Sequence, residues 1–108
     1  MSKLERAIQP RIIAKIKQRL PGAKVFKGDS RFQQGTLDLI ILYRDRWAML
    51  EVKRSATATR QPNQQYFVDE LNQMSYAALI HPDNEEDILN ELQRALQTER
   101  GSLLSEPE

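Results

Sequence analysis

Leu37-Asp38-Leu39-Ile40-Ile41-Leu42-Tyr43 and Trp47-Ala48-Met49-Leu50-Glu51-Val52-Lys53 are two apolar runs separated by the polar turn Arg44-Asp45-Arg46. Their length and their β-branched and aromatic content predict two short buried strands joined as a hairpin. One strand carries an aspartate and its neighbour a glutamate. A carboxylate inside a buried strand is costly unless it is paired or holds a metal. In a hairpin Asp38 and Glu51 can converge on one edge, where a shared divalent cation would relieve their repulsion. Lys53 follows Glu51 by two residues, so a strand places both on one face. Two acids and a lysine on adjacent strands predict a metal-dependent site that cleaves phosphodiesters.

Upstream, Leu4, Ile8, Ile12, Ile16 and Leu20 recur at intervals of four with Ile13 beside them, the pattern of an amphipathic helix whose wetter side carries Lys15, Lys17 and Arg19. Pro10 removes a backbone donor and crowds the carbonyl of Arg6, so either the helix kinks there or its main part starts there. Pro21-Gly22 ends it. Residues 23–27 form a strand candidate, and residues 28–35 a polar loop leading to Asp38. Residues 54–61 have loop composition. Pro62 can open a helix carrying Phe67, Val68, Leu71 and Met74. Residues 75–80 read as a fourth strand, closed by His81-Pro82. Asp83 with Glu86 resembles a capping box before a helix using Ile88, Leu89, Leu92 and Leu96, stopped by Gly101. The expected order is α-β-β-β-α-β-α, an α/β fold forming a single domain over 1–101 with a flexible tail at 102–108.

A chain of 108 residues has a modest core, and the absence of cysteine excludes disulfides and thiolate zinc sites. A single histidine, His81, excludes a multi-histidine metal site, and its position beside Pro82 suggests a structural role. No apolar run reaches membrane-spanning length and no signal-peptide pattern opens the chain, so a cytoplasmic protein is expected. The net charge of +1 hides an asymmetry. Residues 1–60 hold fourteen Lys/Arg against five Asp/Glu, a net +9, whereas residues 61–108 hold two against ten, a net −8. Such polarity predicts a basic face for a polyanion and an acidic face turned away from it.

The element order and three pieces of sequence resemble the PD-(D/E)XK nuclease superfamily, and within it the small stand-alone VRR-NUC nucleases of phages and bacteria. The pieces are Gly35-Thr36-Leu37-Asp38-Leu39-Ile40, Glu51-Val52-Lys53-Arg54, and Pro62-Asn63-Gln64. Glu5-Arg6-Ala7-Ile8-Gln9 on the first helix is a weaker fourth. The resemblance spans about Glu5 to Leu96, with Leu37 standing where the family usually has proline. It implies a restriction-endonuclease-like αβββαβ core with a C-terminal helix. It also implies Mg²⁺, with Mn²⁺ able to substitute, held by Asp38, Glu51, the carbonyl of Val52, and Glu5.

The same resemblance assigns Lys53 to the attacking water and the phosphate charge. Gln64 would hold the site water or a phosphate, although an ordinary first-turn glutamine looks the same. Lys27, Arg31, Arg54 and Arg60 are expected on backbone phosphates, and Ser30 and Gln33 are within loop reach of the site. Phe26, Tyr43, Trp47, Tyr66, Phe67 and Tyr76 are expected in the core or at an interface, with Phe32 alone among the aromatics near DNA. The activity implied is hydrolysis of DNA to 5′-phosphate and 3′-hydroxyl ends without a small-molecule cofactor, in a bacterial cell or a phage-infected host. The preferred form is a homodimeric Holliday-junction resolvase, with Tyr43, Trp47 and Tyr66 as candidate interface residues. The alternatives are a monomeric flap or duplex nicking nuclease, a DNA-binding module of the same fold without activity, and an acidic-tailed interaction protein with structural strand acids.

Overall fold

The chain builds α1 (Lys3–Arg19), β1 (Lys24–Lys27), β2 (Leu39–Tyr43), β3 (Arg46–Val52), α2 (Gln64–Met74), β4 (Tyr76–Ile80) and α3 (Glu85–Gln97), the order its sequence predicts. This computed structural model describes residues 3–28, 37–55 and 64–97, with the side chains of 3–6 and 64 excepted. The expected loops at 29–36 and 56–61, the helix opening at Pro62, the stop at Gly101 and the tail at 102–108 lie outside the described residues.

The four strands form one mixed sheet in the order β1-β2-β3-β4. β1, β2 and β3 pair antiparallel, and β4 joins β3 in parallel with Val52 opposite Ile80. The β2–β3 hairpin is tighter than its polar tripeptide suggests. Arg46 already pairs with Tyr43, leaving a two-residue turn at Arg44-Asp45. Arg44 takes φ 58°, the left-handed conformation that tight hairpin turns use to match strand twist. Its guanidinium covers the Tyr43 ring at 4.9 Å.

Strand alternation divides the sheet into two apolar faces. Leu39, Ile41 and Tyr43 of β2, Ala48, Leu50 and Val52 of β3, and Ile80 of β4 meet Ile8, Ile12, Ile16 and Leu20 of α1 and Leu89, Leu92 and Leu96 of α3. On the opposite face Leu37, Met49, Ala77 and Leu79 pack with Val68 and Leu71 of α2. Tyr43 is therefore core and not interface. Phe26 and Tyr66, also expected to be covered, are more than half exposed.

One open alternative is decided and one local expectation is corrected. α1 continues through Pro10, whose ring lies on the exposed side, so the helix starts before the proline. α3 is capped one residue later than the Asp83 reading. The Asn84 carbonyl accepts the first helical bond, from the Ile88 N–H at 2.9 Å, and its side chain links His81 N–H (2.8 Å) to the Leu79 carbonyl (3.1 Å). That double link holds the β4–α3 connection more firmly than an aspartate, which has no amide to donate.

The charge asymmetry also takes a different form. Glu85 is buried between α3 and α1, where it pairs with Arg11 at 2.6 Å and with Lys15. Glu86 pairs with Lys15 at 3.2 Å and Arg19 at 2.5 Å, and Arg19 also donates to Asn90 Oδ1 at 2.6 Å. Three cations of the basic half thus clamp the acidic half, and the simple picture of two opposed faces does not hold along α1.

Burial pushes the Glu85 carboxyl up, but hydrogen bonds from Lys15 and Arg11 outweigh it and leave it below its ordinary 4.5. A carboxyl depressed by folding adds stability that is present above 4.5 and disappears as pH falls through the lower folded value. Glu85→Gln is expected to cost about 2 kcal/mol at neutral pH, the worth of hydrogen bonds to a charged group. The exposure of Arg11 and Lys15, which can return to water, keeps the cost from being larger. Urea unfolding as a function of pH checks this: the gap between wild type and variant should narrow as the pH falls below 4.5 and through the lower folded value.

Candidate active site

The site lies where the β2–β3 ladder ends. Leu39 opposite Leu50 is the last pair, and the chain bends at Asp38, one residue before β2. Gly28 N–H donates to the Asp38 carbonyl at 2.8 Å, so the β1 side still fixes the Asp38 backbone. The sequence reading placed Asp38 and Lys53 inside strands; each sits just beyond one.

The two acids are held by reciprocal bonds. Asp38 N–H donates to Glu51 Oε1 at 3.2 Å, and Val52 N–H donates to Asp38 Oδ2 at 3.0 Å. Lys53 Nζ stands 3.6 Å from Glu51 Oε2, and the Lys53 N–H ties the segment to β4 through the Ile80 carbonyl at 2.8 Å. Glu51 and Lys53 are only 8% and 7% exposed. The convergence of the carboxylates is thus supported by two backbone donors and one ammonium, and a cation is not the only thing that relieves their repulsion. Together the three side chains carry one net negative charge in a largely desolvated place, where a charge interacts more strongly than in water.

Val52 adds an oxygen. Its N–H faces Asp38, and in an extended residue the N–H and the carbonyl point to the same strand edge. The carboxylates of Asp38 and Glu51 and the Val52 carbonyl therefore make an all-oxygen donor set, the chemistry that suits a hard divalent cation such as Mg²⁺ or Mn²⁺. Among the described residues no group of three or more His, Cys, Asp or Glu side chains gathers around a metal position.

Topology places other predicted residues at this end. The Leu20–Ala23 turn delivers α1 to the start of β1, opposite Leu42 and so at the hairpin-turn end. The start of α1, with Glu5, consequently lies toward the acids. α2 runs back between the parallel strands β3 and β4, which puts its first residue, Gln64, at the acid end as well. The side chains of Glu5 and Gln64 lie outside the described residues. Lys27, in the last β1 pair, and Arg54, next to Lys53, are both exposed at this end. Arg31, Arg60, Ser30, Gln33 and Phe32 lie outside the described residues.

His81 follows Ile80 at the carboxyl end of β4, alongside Lys53, and its buried Nδ1 has no hydrogen-bond partner among the described residues. The parallel pairing that sets it beside Lys53 is a long-range contact with no local signature in the sequence. Comparison with protein-family models, with curated proteins and with solved structures returned no match.

Proposed function

We propose that this chain is a metal-dependent DNA endonuclease with the restriction-endonuclease-like core of PD-(D/E)XK nucleases. It acts on branched DNA as a homodimer, in the manner of a Holliday-junction resolvase. The observation that carries the reading is the Asp38–Glu51–Lys53 constellation: at the end of a hairpin the Glu51 carboxylate accepts from the Asp38 N–H and the Asp38 carboxylate from the Val52 N–H, with a buried lysine on the second acid. A sheet that needed only stability would gain more from apolar side chains at such a place.

Asp38, Glu51 and the Val52 carbonyl would hold Mg²⁺, with Glu5 reaching the same end from α1. When bound, such an ion polarises the scissile phosphate and lowers the pKa of a coordinated water. Lys53 supplies positive charge to the phosphate and orients the attacking water in line with the leaving 3′-oxygen, giving 5′-phosphate and 3′-hydroxyl ends. Glu51 fixes the Lys53 ammonium for that task. Gln64, at the start of α2, holds the same water or a phosphate oxygen. Lys27 and Arg54 contact backbone phosphates, and Arg31 and Arg60 extend the same cationic track.

With no base-reading element among the described residues, selectivity by DNA shape is the economical solution. Two sites related by a two-fold axis match the symmetry of a four-way junction. Tyr66 and Met74, exposed on α2, and the half-buried Trp47 are apolar residues available for a subunit contact. No described helix is long and apolar enough to cross a membrane, and the expected setting is the cytoplasm of a bacterium or a phage-infected host.

The test is cleavage of linear, flapped and immobile four-way DNA in Mg²⁺ or Mn²⁺, with light scattering for the mass in solution. The expected result is a dimer that makes paired cuts on opposing strands of the junction. A monomer that cuts linear duplex as readily overturns the resolvase; no cleavage of any substrate overturns the nuclease.

A further inference from the structure

β1 and β2 carry no acid at all: their sequences are Lys-Val-Phe-Lys and Leu-Ile-Ile-Leu-Tyr. Val25, Leu39, Ile41 and Tyr43 point into the α1–α3 core, so Lys24, Phe26, Ile40 and Leu42 occupy the other face, which β3 continues with Met49 and Glu51. Over β4 and Met49 that face is covered by α2. Over β1 and β2 no described element covers it. Phe26 is 53% exposed and Leu42 41%.

Phe26 pairs with Ile40 and Ile40 with Met49, and Glu51 lies two residues beyond Met49 on the same face. Strand spacing and rise put Phe26 on the same sheet face as Glu51, roughly 12 Å away. That separation corresponds to about three or four base steps of ~3.4 Å.

We propose that Phe26 is a stacking platform for an unpaired nucleobase, with Lys24, on the same sheet face, on an adjoining phosphate. The inference rests on the nuclease reading and deepens it by naming what the site selects within branched DNA: a base left unpaired at the branch, beside the scissile bond. An exposed aromatic beside a lysine, on two strands that carry no acid, has the composition of single-strand binding grooves, where stacking tolerates any base and cations follow the backbone. The charge also argues against a second copy of the chain on this patch. An isologous contact would bring Lys24 of both copies together with no carboxylate on β1 or β2 to pair it.

The experiment measures binding by fluorescence anisotropy in EDTA, so that cleavage plays no part. The probes are a flapped DNA with a 2-aminopurine in its single-stranded arm and a fully paired duplex of equal length. Phe26→Ala is expected to weaken flap binding about tenfold, in the range found for loss of one base–aromatic stack, and to leave duplex binding within about twofold. The 2-aminopurine quench should disappear with it. Phe26→Trp should keep both properties, whereas Phe26→Leu, still apolar, should behave like the alanine variant. Thermal melts establish that each exposed-site variant is folded.

Equal flap affinity for wild type and Phe26→Ala overturns the proposal, and so does wild-type binding by Phe26→Leu. A fall in molar mass in Phe26→Ala with unchanged affinity overturns it too, and assigns the patch to a second copy. Phe26-dependent flap binding by a chain that cuts nothing in Mg²⁺ or Mn²⁺ supports the stacking site while removing the nuclease reading.

Discussion

Asp38→Asn and Glu51→Gln should each reduce Mg²⁺-dependent DNA cleavage by a factor on the order of 10³ or more, while the protein stays folded. The choice of amides follows from the geometry. Asp38 Oδ2 accepts the Val52 N–H and Glu51 Oε1 accepts the Asp38 N–H. An amide oxygen keeps each acceptor, so the β2–β3 junction survives, but the negative charge that a divalent cation needs is gone. Alanine is the blunter tool. It leaves a backbone N–H without its partner in a partly buried place and should cost about 1–3 kcal/mol of stability besides activity. Lys53→Met is expected to fall between the two, since it preserves the stem but strands the Glu51 carboxylate, only 8% exposed, without its nearest cation. A nicking assay on supercoiled and branched DNA, paired with circular dichroism and thermal melts, separates chemistry from folding. Cleavage by either amide variant at close to the wild-type rate would remove the two-carboxylate site.

The hairpin, the element order and the placement of the acid pair were legible because they depend on local patterns: apolar runs of strand length, a polar turn, and acids at fixed offsets within them. What the sequence concealed lies in long-range packing. Glu85 reads as one acid among several at the start of an amphipathic helix, yet contacts from Arg11 and Lys15, more than sixty positions upstream, make it a buried clamp. Phe26 and Tyr43 sit in similar apolar contexts, but alternation turns Tyr43 toward α1 and α3 while Phe26 faces the half of the sheet that α2 does not reach. One helix covers two strands at most, and its lateral position is decided by the parallel β3–β4 crossover. The asparagine cap of α3 was hidden by an adjacent Asp83–Glu86 pair that satisfies the capping-box spacing one residue early. The mutual latch of Asp38 and Glu51 is also beyond sequence, because it requires a bend that takes Asp38 out of the ladder.

DNA affinity should fall steeply with salt, and the residues responsible should be those at the acid end of the sheet, with α1 contributing little. Net charge by halves would assign Arg11, Lys15 and Arg19 to the DNA surface together with the loops. Their ion pairs with Glu85 and Glu86 assign them to the α1–α3 contact instead. The four phosphate contacts proposed for the nuclease site, at Lys27, Arg31, Arg54 and Arg60, would give a slope of log affinity on log salt of about −3.6 from counterion release. Between 50 and 200 mM salt this slope corresponds to roughly a 150-fold loss of affinity. Arg54→Ala should flatten the slope by about one unit and weaken binding to every sequence alike. Arg11→Ala should leave the slope unchanged and lower the melting temperature, because its partner Glu85 is buried. Arg94→Ala, on the exposed side of α3, should change the slope no more than Arg11→Ala does. Anisotropy titrations of one flapped DNA across that salt range, in EDTA, supply all of these slopes. An Arg11 variant that flattens the slope as much as an Arg54 variant would return α1 to the DNA surface and break the assignment of the cationic track to the acid end.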